Sequence, residues 1–211
     1  MKVIELNAVS KSYGGRELFA DVSWTVEAGR VYGLAGPNGS GKSVLFRIMT
    51  GFVRPDSGAV AINPVFMDGG RVFPKGFGIV IDRPGYLAHK TGLENLLALA
   101  RIRRVVAERE VRAAMAALGL DPESKTRVGR YSLGMKQKLS IIQATMEGQR
   151  VLVLDEPFNA LDRSSVETVR NLLRAHRDGG GTVVFTSHNA QDLDLLADEV
   201  HEIDRGTLVR R

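Results

Sequence analysis

Three short stretches of the chain are apolar or apolar within a pair of threonines: Val31-Tyr32-Gly33-Leu34-Ala35, Val151-Leu152-Val153-Leu154 and Thr182-Val183-Val184-Phe185-Thr186. Runs of this length without alternation predict strands covered on both faces. Gly78-Ile79-Val80-Ile81-Asp82 predicts another, ending on a carboxylate and broken by Arg83-Pro84-Gly85. Between these runs the apolar residues return at helical spacing. Val44, Leu45, Ile48 and Met49 predict a helix over 44–50 with Gly51 as its stop. Leu139, Ile142 and Met146 predict one entered at Ser132, and Val166, Val169, Leu172 and Leu173 one capped by Asp162. Asn189 predicts the start of a short helix running to Ala197. At the N-terminus, residues 3–9 and 18–26 read as strands, with Val22, Trp24 and Val26 alternating and 11–16 as the turn between them. A turn at 54–58 leads to a strand at 59–62, residues 63–76 read as loop or hairpin, and 200–203 with 207–209 as a closing hairpin around Arg205-Gly206.

Strands alternating with helices predict an α/β domain with a largely parallel sheet, whose ligands bind at the carboxyl ends of its strands. One segment breaks the alternation. From Tyr86 to Arg130 only helices are expected: one after the capping box Thr91-Gly92-Leu93-Glu94, with Leu93, Leu96, Leu97 and Ala100 on one face, and one over 107–118 with Val111, Ala114, Met115 and Leu118 inward and Gly119 as its stop. The expected organisation is one domain over 1–211, with a core at 1–85 and 131–211 and a helical insert at 86–130.

Charge sharpens that division. The chain carries a net +5 over 211 residues. Residues 86–138 hold eleven Lys/Arg against five Asp/Glu, an excess of six, so the remainder is at −1. A solvated helical face is the ordinary reading of such a segment; a surface near anionic lipid headgroups and a nucleic-acid patch are the sharper ones. With no cysteine, disulfides, thiolate zinc sites and thiol nucleophiles are excluded. No apolar stretch approaches the roughly 18 residues of a membrane span, and the N-terminus lacks a secretion-signal core. The expected location is the cytoplasm.

The candidate chemistry centres on Gly36-Pro37-Asn38-Gly39-Ser40-Gly41-Lys42-Ser43, which fits G-x-x-x-x-G-K-[ST] between a predicted strand and a predicted helix. Glycines let the backbone curl until several N–H groups face one anion, and the helix N-terminus adds partial positive charge. Lys42 then reaches the β- and γ-phosphates of a nucleotide and the Ser43 hydroxyl ligates Mg²⁺. Three other strands end on polar groups, at Asp82, Asp155-Glu156 and Ser187-His188. Asp155 offers a hard oxygen near Mg²⁺, Glu156 a carboxylate to polarise the attacking water, and His188 a sensor of the γ-phosphate. Tyr13, ahead of the P-loop, offers a ring to stack on adenine.

Taken together, these motifs resemble the nucleotide-binding subunit of an ABC transporter, over essentially the whole chain. Residues 36–43 are similar to Walker A and Val151–Asp155 with Glu156 to Walker B and its catalytic carboxylate. Tyr131-Ser132-Leu133-Gly134-Met135, followed by Lys136-Gln137, is similar to the ABC signature, 159–162 with Asp162 to the D-loop, and His188 to the switch histidine. The resemblance implies a P-loop ATPase core with an N-terminal antiparallel β subdomain and a helical insert. It also implies ATP and Mg²⁺, and a dimer of ATPase subunits, identical or not, that sandwiches two nucleotides. Ser132, Leu133, Gly134 and Met135 would then be offered to the ATP held by the other subunit. A separate transmembrane permease is implied, which would hold the chain on the inner face of the membrane.

Three departures stand out. Leu133 and Met135 replace the usual Gly and Gln of the signature. Val44 stands where a second Ser/Thr is frequent, at a cost of about 1 kcal/mol of binding. Asp82 takes the place of the Q-loop glutamine, where it reaches Mg²⁺ or the attacking water only through an intervening water. The run 78–84 resembles the subgroup that exports bacitracin-like and lantibiotic peptides, where a glutamate is usual. The rival reading is a soluble ATPase of the same type acting on nucleic acid or ribosomes. The lack of a second nucleotide domain, a long coiled coil or a zinc motif speaks against it, so no nucleic-acid partner is expected.

Overall fold

The computed structural model describes residues 1–69, 73–82 and 85–211; Arg83-Pro84, expected to break the strand before them, lie outside the described residues. In chain order the elements are β1 (Lys2–Tyr13), β2 (Arg16–Glu27), β3 (Val31–Ala35), α1 (Lys42–Met49), β4 (Ser57–Ile62), β5 (Phe77–Val80), α2 (Gly92–Arg103), α3 (Glu108–Ala117), α4 (Leu133–Thr145), β6 (Val151–Leu154), α5 (Arg163–Asp178), β7 (Thr182–Thr186), α6 (Ala190–Leu196), β8 (Glu199–Asp204) and β9 (Thr207–Arg210). A three-stranded antiparallel sheet has the order β2-β1-β4, and a six-stranded sheet the order β5-β6-β7-β3-β8-β9. All neighbours in the larger sheet are parallel except β8 and β9.

Every residue of β3, β6 and β7 is buried, because side chains alternate between two apolar layers. Tyr32, Leu34, Val151, Val153 and Val184 join a core with β1, β2 and the Leu45, Phe46, Ile48 and Met49 face of α1. Val31, Ala35, Leu152, Leu154, Val183 and Phe185 join the opposite core with residues of α2 to α6. The polar-ended strands thus stand between a β layer and a helical layer, and only their ends reach solvent. Gly78 sets the distance on the helical side. A Cβ there would lie 1.8 Å from the Ala144 carbonyl oxygen of α4.

The N-terminal hairpin is longer than expected. Lys11, Ser12 and Tyr13 belong to β1, and only Gly14 and Gly15 turn, at φ 57° and 77°. Polar residues extend the strand because Asp56 holds them: the Lys11 ammonium and the Ser12 N–H reach its carboxylate at 2.5 and 2.7 Å. Strand β5 is shorter than expected and stops at Val80, leaving Asp82 in a loop with φ 59°.

The helical layer is tied down by specific bonds. Thr91 and Glu94 form the capping box of α2. Asn95 pins residues before the helix, accepting from the Leu87 N–H at 2.9 Å and donating to the Thr91 carbonyl at 2.8 Å. The Tyr86 hydroxyl donates to the Lys136 carbonyl of α4 at 2.8 Å, and burial pushes its pKa up to about 12. Among the described residues no helix is long and apolar enough to cross a membrane.

Two histidines carry a pH liability. His176 packs its Nε2 against Gly181, and His201 lies 4.9 Å, centroid to centroid, from the ring of Trp24; His176 Nε2 and His201 Nδ1 are buried without a partner. Burial holds both below the ordinary 6.5. Their neutral forms favour the folded chain fully above that value, and the contribution is lost as pH falls from 6.5 through the lowered folded pKa values. The melting temperature is therefore expected to fall between pH 7 and pH 5. The emission of Trp24, the chain's one tryptophan, is expected to change with a midpoint below pH 6.5. In His201→Gln that emission step should vanish; its persistence would show another cause.

Candidate functional site

Four parallel neighbours, β5, β6, β7 and β3, end at one sheet edge, in register Val80–Leu154, Leu154–Phe185 and Leu34–Thr186. The loop after β3 is the P-loop. Gly36 has φ 140°, and a Cβ there would meet Ser40 Oγ at 2.9 Å and the Ile203 carbonyl at 3.0 Å. Gly41 precedes α1 at φ 98° with no side-chain cap, so the helix N-terminus keeps free N–H groups. Lys42 is almost buried and arches back over the loop, donating to the Gly36 and Pro37 carbonyls at 2.7 and 3.1 Å. Ser40 Oγ is buried with no partner.

Beside the loop, the two oxygens of Asp155 are held from two sides. Ser43 Oγ donates to Oδ2 at 2.5 Å, and Thr186 Oγ1 donates to Oδ1 at 2.7 Å. The same Thr186 oxygen accepts the Glu156 N–H at 2.7 Å, fixing a residue whose φ is 48°. Gln137 of α4 donates to the Glu156 and Pro157 carbonyls at 3.2 and 3.1 Å. His188 Nδ1 lies 2.9 Å from Glu156 Oε2, with the imidazole mostly exposed.

Two cavities meet at this carboxylate pair. One, of 350 Å³, is lined by Asn38, Gly39, Gly41, Lys42, Ser43 and Val44 together with Leu18, Asp155 and Glu156. The other, of 570 Å³, has Asp155 and Glu156 on one wall and Asp82, Tyr86, Leu133 and Gln137 among its other lining residues. An uncapped helix N-terminus and an ammonium at one concavity fit a polyphosphate. Ser43 and Asp155 supply adjacent hard oxygens. Hard oxygens of this kind suit Mg²⁺; among the described residues no group of three or more His, Asp or Glu could hold a metal.

The remaining expected residues lie further out. Ser132 caps α4, accepting the Met135 N–H at 3.2 Å, and Leu133 is exposed beside it. Gly134 has a reason within its own chain: a Cβ there would lie 2.6 Å from the carbonyl oxygen of Ala160, itself at φ 61°. This packing need stands beside the role that the resemblance implies for Gly134. Asp162 is committed to α5, accepting the Ser165 N–H at 2.8 Å and the Ser164 hydroxyl at 2.7 Å, bonds that hold its pKa down at about 2. Asp82 is ion-paired with Arg47 of α1 and lines the larger cavity with Asp155 and Glu156. Tyr13 is half-exposed at the hairpin tip with the Lys11 ammonium 5.1 Å from its ring centroid. It is not among the lining of the P-loop cavity, where β2 contributes Leu18. The sequence reading missed Thr186 and Arg47 and named Gln137 only as part of the signature; for Thr186 the signal was a polar residue at the site end of a buried strand.

A family model described as "ABC transporter" matches residues 19–159. An uncharacterized ABC transporter ATP-binding protein of Bacillus subtilis (strain 168), YybJ, is 33% identical over 206 residues, covering 98% of this chain and 94% of that protein. The bacitracin transport ATP-binding protein BcrA of Enterococcus faecalis is 32% identical over 209 residues, covering 98% of this chain and 68% of its own length. Among solved structures, the ATP-binding cassette MJ0796, a dimer in a post-hydrolysis state bound to ADP and Pi, superposes with a TM-score of 0.86 at 20% identity, covering 99% of this chain and 97% of that one; at that identity the likeness speaks for the fold. A match spanning the P-loop, the carboxylate pair and the capped helix between them places this chain in the ABC transporter family, among its ATP-binding subunits.

Proposed function

We propose that the chain binds MgATP at its P-loop and completes each site by closing head to tail on a second ATPase subunit. Residues 36–43 hold the triphosphate through backbone N–H groups and Lys42. Ser43 and Asp155 hold Mg²⁺, which when bound neutralises charge on the β- and γ-phosphates. Glu156 takes a proton from the attacking water, and His188 senses the γ-phosphate. Ser132 and the N–H groups at the start of α4, with Leu133, Gly134 and Met135, face the nucleotide of the other subunit. Catalysis of this kind is mostly positioning and charge neutralisation.

The observation that carries the reading is the unbroken chain of contacts Ser43–Asp155–Thr186–Glu156–His188 across the ends of adjacent strands. It joins a phosphate-binding loop to a candidate base. We further propose that turnover powers export of a peptide or drug through a separate permease on the inner face of the membrane, with residues 86–130 as the arm that touches it. The likeness to a bacitracin transport protein supports that cargo. Asp82 couples the site to the permease, and its ion pair with Arg47 ties it to the P-loop helix. Tyr13 remains the proposed adenine contact, reached when the hairpin tip bends toward the loop.

Substitutions at three residues test the reading. Glu156→Gln should lower ATP turnover by about 100-fold or more while keeping ATP binding, as expected for loss of a general base; turnover equal to wild type would refute the enzyme assignment. Thr186→Val removes the hydroxyl that serves both Asp155 and Glu156, so kcat should fall steeply, with Thr186→Ser restoring it; if Val and Ser behave alike, the hydroxyl has no positioning role. Asp82→Ala should spare ATP binding yet damage transport-coupled turnover, and unchanged transport would remove its role.

A further inference from the structure

The corner where α2 ends projects two aliphatic side chains into solvent amid arginines. Residues 101–105, Arg-Ile-Arg-Arg-Val, are all exposed, Ile102 at 76% and Val105 at 56%. Arg104 closes α2 in a left-handed conformation, φ 56°, with its N–H bonded to the Ala100 carbonyl at 2.8 Å. Beyond it Val106 packs back against the core. A mostly exposed isoleucine leaves apolar area in water that burial would stabilise, and none of the described residues covers it.

The charges at this corner do not cancel. Glu147 is taken by Arg103 at 3.0 Å, Glu108 by Arg112 at 2.6 Å, and Glu110 accepts the Ala107 N–H at 2.7 Å. Among the described residues Arg101, Arg104 and Arg109 have no ion-pair partner. Free cations around exposed aliphatics combine the two weak signals that bring a protein to an anionic lipid surface, apolar insertion and attraction to headgroups. A single-stranded nucleic-acid site would call for aromatic platforms, and this segment carries none; a duplex site would not call for two exposed aliphatics among the arginines.

We propose that this corner touches anionic membrane lipid directly, with Ile102 and Val105 entering the headgroup boundary and Arg101, Arg104 and Arg109 pairing with lipid phosphates. The contact is reversible and orients the helical layer toward the bilayer. It does not rest on the ATPase reading, since it needs no nucleotide.

The test is flotation of the purified full chain with vesicles of phosphatidylcholine alone and of phosphatidylcholine with phosphatidylglycerol in equal parts. Binding should appear with the mixed vesicles only and weaken as salt rises. Arg101→Gln with Arg104→Gln should lower the partition coefficient roughly 25-fold, about fivefold per charge, and Ile102→Asp roughly tenfold or more. Lys125→Gln with Arg127→Gln, in the other basic cluster, should leave it unchanged. Wild-type ATP turnover and melting temperature in each variant show that the fold is kept. Four results would overturn the proposal: no binding to mixed vesicles at low salt, equal binding to both compositions, equal loss in the Lys125/Arg127 pair, or duplex DNA displacing the vesicles. Should vesicles fail to bind while Ile102→Asp dislodges the chain from membranes containing its permease, the surface belongs to a protein and the lipid reading is wrong.

Discussion

The site depends on how Asp155 is held. Its two oxygens accept hydroxyl donors from opposite directions, Ser43 at the start of α1 and Thr186 at the end of β7. Hydrogen bonds to a charged group contribute roughly 1.5–3 kcal/mol each, and Thr186 is fully buried. A carboxylate gripped in this way cannot swing when its surroundings change, so an incoming cation meets ligand oxygens already facing it. The sheet makes the grip possible. Strand β7 lies between β6 and β3, and a hydroxyl at its tip spans the distance between the carboxylate strand and the P-loop strand.

The two cores divide the labour. The layer containing α1 and the antiparallel sheet packs beneath the P-loop, with no fewer than four α1 side chains buried in it. The helical layer packs on the opposite face, against the same strands. Because odd and even residues of each central strand serve different layers, a displacement of either layer is felt by the strands whose ends carry the chemistry. Gly78, with no room for a side chain beside Ala144, holds α4 close enough for Gln137 to reach the Glu156 carbonyl.

Much of this was legible in the residues. The central strands announced themselves as unbroken apolar runs, and the caps at Thr91, Ser132, Asp162 and Asn189 all accept the backbone N–H groups expected of them. Such signals are local, and local rules read them. What escaped depends on distant partners. The strand character of Lys11 to Tyr13 comes from Asp56, far along the chain. Thr186 reads as an ordinary β-branched strand residue until its neighbours across the sheet are known. Asp82 was read for its carboxylate, yet its nearest charge is an arginine one helix away. Gly134 was read for the nucleotide, and the Ala160 carbonyl behind it adds a packing reason that only the fold could show.

That last contact has a mechanical consequence. With Gly134 pressed on Ala160 and Gln137 bonded to the backbone of Glu156 and Pro157, the tip of α4 and the 156–160 turn are pinned to each other at two points. They can tilt as one plate but not slide past one another. On the proposed pairing, a twin that pressed on this plate would press on the carboxylate behind it as well, with no slack in between.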